Sequence, residues 1–145
     1  PHNEVTTIIR QLQIYKRALD AADKPFPEEL PMRREVFVAP SREEALRLCG
    51  PYLANKYENY TDWGQSDQLP DDDSKLDQAF ADLIGDRFLL GSPDEVAEQI
   101  IDLNRHIGAN HLIMSMDWPG MPKSTTLDCL QLFAEEVAPQ VRSGL

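Results

Sequence analysis

The sequence lacks the features that mark several large classes of protein. Its 145 residues include only two cysteines and three histidines, and basic residues number 14 against 25 acidic ones. No run approaches the roughly 18 consecutive apolar residues of a membrane-spanning helix. The first residues also lack the basic and apolar regions of a secretory signal peptide. We therefore expect a reduced, cytoplasmic protein that does not cross a membrane.

The shortage of basic residues argues against polyanionic partners. The formal net charge is -11, and no cluster of lysine and arginine is present. Binding to phosphate backbones requires such a cluster, because affinity comes largely from cationic side chains. The composition therefore predicts no nucleic acid partner and no anionic membrane surface.

Reactive motifs are also missing. Cys49 and Cys129 each fall within a helical pattern and show no metal-ligand spacing, so we interpret both as small buried apolar residues. No Ser-His-Asp set, phosphate loop or zinc spacing is present. The sequence therefore assigns no metal site and leaves the catalytic residues unknown.

Acidity is concentrated in one polar stretch without periodicity, residues 64–74 and the residues just after it. Its members are Asp67, Asp71, Asp72, Asp73, Asp77, Asp82 and Asp86. A metal site here is the weaker reading, since adjacent aspartates in a flexible loop rarely converge on one ion. We predict a flexible acidic insertion, 64–74, within a single domain that covers residues 1–145.

What is present is an alternation of helix and strand. The strands are predicted at Arg34–Ala39, Arg87–Leu90 and His111–Met116, and the helices at Val5–Ala22, from Ser41 with a kink or split at Pro51, at Leu76–Ile84, from Ser92 to Gly108, and from Leu127 to Pro139. This order implies parallel strand pairing. Three parallel strands make a poor sheet alone, so the chain either pairs with more strands or is a piece of something larger.

Several segments resemble, in order, the last part of the bacterial-luciferase-like, flavin-dependent monooxygenases. The similar segments are Arg34–Ala39 (sixth strand), Arg87–Ile100 (seventh strand and helix), Gly108–Ile113 (lead into the eighth strand), Trp118–Met121 (the loop after it) and Phe133–Pro139 (closing helix). The resemblance implies an α/β fold: the C-terminal part, about three strand-helix units, of a TIM (β/α)8 barrel.

The same resemblance implies that the parent enzyme oxidises a small organic substrate with reduced FMN and oxygen; a deazaflavin-dependent oxidoreductase is the variant within the family. The earlier strands, which carry much of the flavin pocket, are absent, so we expect this chain alone to be inactive. The alternative is a non-catalytic assembly module or split-barrel subunit. It would complete its sheet by self-association or with the remaining part of the barrel.

Three residues are candidates for cofactor binding. Gly91 and Ser92 form the entry to a helix, where free backbone amides attract phosphate. Glu95 adds negative charge there, and an ordinary helix cap explains the same residues. Trp118, in the loop after the third strand, is expected either to stack on an isoalloxazine ring or wall a substrate pocket, or simply to pack over the barrel end.

Overall fold

The computed structural model describes residues 3–64 and 84–145. Its helices and strands are, in chain order, α1 (Val5–Ala21), β1 (Pro31–Val38), α2 (Arg42–Asp62), β2 (Phe88–Gly91), α3 (Pro93–Ile107), β3 (His111–Ser115), α4 (Lys123–Leu132), a π-helical turn (Phe133–Val137) and α5 (Ala138–Gly144). The acidic segment predicted at 64–74, after its first residue, and most of the helix predicted at Leu76–Ile84 lie outside the described residues. None of the described helices is long and apolar enough to cross a membrane.

The three strands form one parallel sheet in the order β2-β1-β3. The parallel orientation confirms the prediction. β1 is long enough to serve two partners. Its second half pairs with β2, where Val38 lies opposite Gly91, and its first half pairs with β3, where Pro31 lies opposite His111.

This strand order differs from that of a barrel arc. In a (β/α)8 barrel, strands that follow one another in the chain are neighbours, so β2 would lie between β1 and β3. Here β1 is central, and β2 and β3 each have an edge with no described strand beside it. The apolar runs of the sequence therefore predict parallel strands but do not determine which strand is central.

The core lies around β1 and β2. β1 is buried from Arg34 to Val38, and all four residues of β2 are buried. From α2, Leu53 and Tyr57 pack into this core, and the ring centroid of Tyr57 lies 5.1 Å from that of Phe88. β3 contributes much less, because none of its five residues is buried.

Helix ends follow the capping residues of the sequence. The Ser41 side chain accepts from the Glu44 amide at the start of α2. α3 begins with a complete capping box between Ser92 and Glu95 and ends at Gly108, whose φ of 77° is left-handed. The helix starts predicted at Ser41 and Ser92 and the helix end predicted at Gly108 are confirmed.

Two proline predictions are wrong in part. α2 is not split at Pro51 but continues through it to Asp62. Cys49 and Leu53, on either side of that proline, are fully buried, so packing holds both halves as one helix. The last helical segment does not end at Pro139 either. Pro139 lies directly after the π-helical turn, in the first turn of α5, and the chain stays helical to Gly144.

Candidate functional site

A cavity of about 420 Å³ opens between the second half of α2 and the loop that follows β3. This volume lies within the roughly 300–1,000 Å³ typical of small-molecule sites. The wall on one side comes from α2, and on the other from Ser115, Asp117, Trp118 and Pro119. The cavity therefore joins the end of β3 to a helix that follows β1.

A buried carboxylate lies at the base of this region. Glu35 is fully buried in β1, and its carboxylate forms an ion pair with the ammonium of Lys56 on α2. The indole Nε1 of Trp118 donates to the other carboxylate oxygen at 2.8 Å. A buried charge needs such partners, because desolvation without them is very unfavourable. One side chain thus ties β1, α2 and the loop after β3 together.

The position of Glu35 in the sheet explains this role. Glu35 lies opposite Phe88 in β2 and opposite Ser115 in β3, so it is paired in both ladders. Side chains alternate along a strand, which puts Arg33 and Phe37 on the same face as Glu35. The ring of Phe37 lies 6.1 Å from that of Trp118, and Arg33 Nε donates to Ser115 Oγ at 2.9 Å.

Aromatic rings from α2 form much of the cavity wall. Tyr60 and Trp63 are in contact, with ring centroids 6.0 Å apart, and Lys56 Nζ lies 5.4 Å from the centre of the Tyr60 ring. Trp63 is 70% exposed, a large fraction for an indole. Tyr52 also lines the cavity and lies against the loop, since a Cβ at Gly120 would be 3.7 Å from its ring. The helix spacing of these residues gathers them on one side.

Polar groups complete the lining. Asn55 and Asn59 face the cavity one helical turn apart, and the Asn59 amide donates to the Asn55 backbone and side-chain oxygens. Arg33 and Asp117 add one charge of each sign. The arrangement offers amide donors and acceptors beside aromatic surfaces, which is the chemistry of a binding pocket.

Of the predicted cofactor residues, only Trp118 lines this cavity. Its ring is buried, with 4% exposed, and its N–H is held by Glu35. The Trp118 ring packs against Phe37 and also forms part of the cavity wall. Flavin contact by Trp118 stays a prediction.

Gly91 and Ser92 lie instead at the start of α3, where the capping box uses the groups that would attract a phosphate. The Ser92 amide donates to Glu95 Oε2 at 2.8 Å, and the Glu95 amide donates to Ser92 Oγ at 3.4 Å. The hydrogen bond donated by the Ser92 amide holds the pKa of the Glu95 carboxyl below its usual value. Ligand contact by these two residues stays a prediction, and it requires the Glu95 carboxylate to move away.

Gly91 is required by this same arrangement. Its φ is 155°, and an added Cβ would come within 2.7 Å of Glu95 Oε2. A side chain here would therefore strain the backbone and displace the carboxylate that caps α3. From the sequence, Gly91 is expected to allow a phosphate to approach the backbone. In the structure, it allows the Glu95 carboxylate to do so.

The two cysteines are buried, as predicted. Burial raises the pKa of Cys49 to about 12 and that of Cys129 to about 11. Both therefore remain thiols at neutral pH, and neither is activated as a nucleophile. Cys129 has a structural contact, since its Sγ accepts from the Val38 amide at 3.3 Å.

Sequence reasoning missed Glu35 and Lys56. One signal was present: Arg34 and Glu35 stand at the start of an otherwise apolar strand, and a charge on a buried strand must find a partner. The identity of that partner could not be read, because Lys56 is 21 residues away on a different element.

The described fold is similar to parts of solved monooxygenases. Monooxygenase RslO1 from Streptomyces bottropensis matches at 22% identity with a TM-score of 0.68, over 91% of this chain and 37% of that chain. The oxygenating constituent of 3,6-diketocamphane monooxygenase of Pseudomonas putida, a type II Baeyer-Villiger monooxygenase in complex with FMN, matches at 23% with a TM-score of 0.67, over 96% of this chain and 41% of that one.

These matches show a shared fold. The chain spans about two fifths of the length of either monooxygenase. No protein-family model matches the sequence, and no curated protein does.

Proposed function

We propose that this chain is the C-terminal portion of a flavin-dependent monooxygenase of the luciferase-like type, which uses reduced FMN and oxygen to oxidise a small organic substrate. The observation that carries the proposal is the fold likeness to two monooxygenases, over nine tenths or more of this chain. The ordered resemblance of the segments from Arg34 to Pro139 supports it independently.

In such an enzyme the flavin would supply the redox chemistry, and the protein would position it and exclude water. Among the described residues, Trp118 fits a role beside a flat ring, since it lines a cavity of suitable size. The Gly91–Ser92 turn fits a phosphate poorly while the Glu95 carboxylate holds the Ser92 amide. We therefore infer that most of the FMN contacts come from the part of the enzyme that precedes this chain.

The proposal has a consequence for the sheet. A complete barrel would have β2 between β1 and β3, whereas β1 is central in this chain. Joining the remaining strands would therefore require β3 to leave β1 and pair with β2. A cysteine pair at Arg33 and Ile113, which are opposite each other here, tests this change. It should form a disulfide in the 145-residue chain and not in the full-length enzyme.

The direct test is a titration of reduced FMN. The full-length protein should bind it and consume oxygen, whereas the 145-residue chain should bind weakly or not at all. A full-length protein that neither binds reduced FMN nor consumes oxygen would exclude the flavin reading. Binding of a reduced deazaflavin instead, measured in the same titration, would select the variant within the family.

A non-catalytic assembly role is the second candidate, and the exposure of β3 favours it. Ile113 is 48% exposed and Met114 is 36% exposed on the same strand, so both faces of β3 show apolar surface. An exposed strand of this kind pairs readily with another chain. Light scattering of the 145-residue chain tests this role, and a well-folded monomer at all concentrations would count against it.

A further inference from the structure

We propose that the cavity between α2 and the loop after β3 binds an uncharged aromatic molecule with polar groups at its edge. The inference concerns the 145-residue chain and does not rest on the flavin proposal. It begins from the balance of charge. Lys56 is neutralised by the buried Glu35, and Arg33 is matched by Asp117, so the four charged groups at the cavity sum to zero.

The balance of charge at the cavity argues against an anionic or a cationic ligand. In a chain with a formal net charge of -11, a cavity without excess acidic charge is a local exception. An anionic ligand would find Glu35 already holding Lys56, and a cationic ligand would find Arg33 in the wall. The lining presents one cation, Arg33, and one anion, Asp117, besides the neutralised Lys56, so a ligand of either sign would meet a like charge as well as an opposite one.

The aromatic rings of the cavity wall indicate a flat, aromatic ligand. Trp63 presents most of its indole to solvent at the cavity wall, beside Tyr60, and Tyr52 lines the same cavity from earlier in α2. Flat rings favour flat partners through offset or edge-to-face contact. The amides of Asn55 and Asn59 can both donate and accept, which suits hydroxyl or carbonyl groups on such a ring.

The chain provides its own reporters for a test. Its only two tryptophans, Trp63 and Trp118, both line this cavity, so a nitrogen-15 spectrum has two indole N–H signals and both report on it. The probes are naphthol, naphthoate and naphthylmethylammonium, which share a ring system and are neutral, anionic and cationic at pH 7. We expect naphthol to shift both signals along a saturable curve and to bind at least about fivefold more tightly than either charged probe.

Two variants distinguish binding in this cavity from non-specific binding to exposed aromatic side chains. Trp63→Ala should weaken naphthol binding about fivefold, read at the Trp118 signal, because it removes one stacking surface. Tyr15→Ala, which removes another exposed ring on α1, should leave binding unchanged. The dispersion of each variant's own spectrum shows whether it is folded.

A third variant tests the charge argument itself. Asn59→Lys adds a cation to the exposed wall of the cavity and should reverse the preference, so that naphthoate binds more tightly than naphthol. The proposal is overturned if naphthol gives no saturable shift, if a charged probe binds the unmodified chain more tightly, or if Tyr15→Ala weakens binding as much as Trp63→Ala. Failure of FMN to bind would leave this result untouched.

Discussion

The β2–α3 unit and the β3–α4 unit have the same plan, a short apolar strand followed by a helix. They differ in how far the strand is buried and in how its free edge is hydrogen-bonded. The outer edge of β2 is closed by side chains: the Leu90 carbonyl accepts from Arg42 Nη1 at 2.7 Å and from Gln99 Nε2 at 3.2 Å. α3 has a capping box, whereas α4 is preceded by Pro122 at the N-cap position and has no side-chain cap. All of β2 is buried and none of β3 is.

The comparison shows that an apolar pattern predicts a strand but does not predict which helices pack against it. His111 to Ser115 is as apolar in its centre as Phe88 to Gly91, but α2 and α3 both pack on β2. In the two similar monooxygenases, about three fifths of the chain lies outside the matched part. We expect the missing cover of β3 to come from another chain segment or another molecule.

The largest expected effect is at Glu35 of β1, which is paired with a residue of both β2 and β3. Lys56→Met leaves the buried Glu35 carboxylate with Trp118 as its remaining partner described here, and should lower the free energy of unfolding by about 3 kcal/mol. Urea denaturation measures it. Arg105→Gln, which breaks an exposed pair with Asp102, is the control and should change little. A loss no larger than the control's would mean that Glu35 is not the point that joins the units.

Removing the side-chain hydrogen bonds at the outer edge of β2 should have the next largest effect on stability. The double substitution Arg42→Met and Gln99→Leu leaves the Leu90 carbonyl without its two side-chain donors, and should lower the free energy of unfolding by about 1–3 kcal/mol. Amide hydrogen exchange should accelerate in β2 toward the rate of β3. Unchanged exchange in β2 would show that burial alone protects this edge.

Most of the β2–α3 unit could be predicted from the sequence, and less of the rest. Ser92, Glu95 and Gly108 determine their helix ends through local chemistry, which is readable within a few residues. β1 begins at Pro31, earlier than the predicted Arg34, because its first residues are ordered by pairing with a strand some 80 residues later. The Glu35 cluster and the strand order depend on the same kind of distant contact, which no local pattern encodes.

The cap of α3 gives a pH-dependent difference between the units. Because the pKa of Glu95 is lowered in the folded state, its ionised form adds stability above the unfolded pKa, and this is lost as pH falls through the folded pKa. Glu95→Gln should therefore cost about 0.5–1 kcal/mol at neutral pH and nothing in strong acid. Thermal unfolding against pH measures it, with Glu98→Gln as the control. A cost that persists in acid would contradict the electrostatic part of the cap.

The smallest effect on stability is expected at the open strand. Ile113→Lys should change the free energy of unfolding by less than about 0.5 kcal/mol, because the side chain is already half exposed. It should nevertheless reduce self-association, measured by light scattering, since a charge on an exposed strand blocks pairing. Leu89→Lys, in the buried strand, should unfold the chain. Equal damage from both would erase the distinction between the two units.

The central place of β1 also bears on how the chain acquires its structure. Its partners lie more than fifty and about eighty residues downstream, so neither ladder is a local contact. Folding rates fall as such separations grow, because a long loop must close before any pairing stabilises it. During synthesis β1 therefore leaves the ribosome before either of the two strands that it pairs with in this structure. A ribosome stalled before Phe88 would hold a nascent chain in which α1 and α2 can form but β1 has neither of its described partner strands.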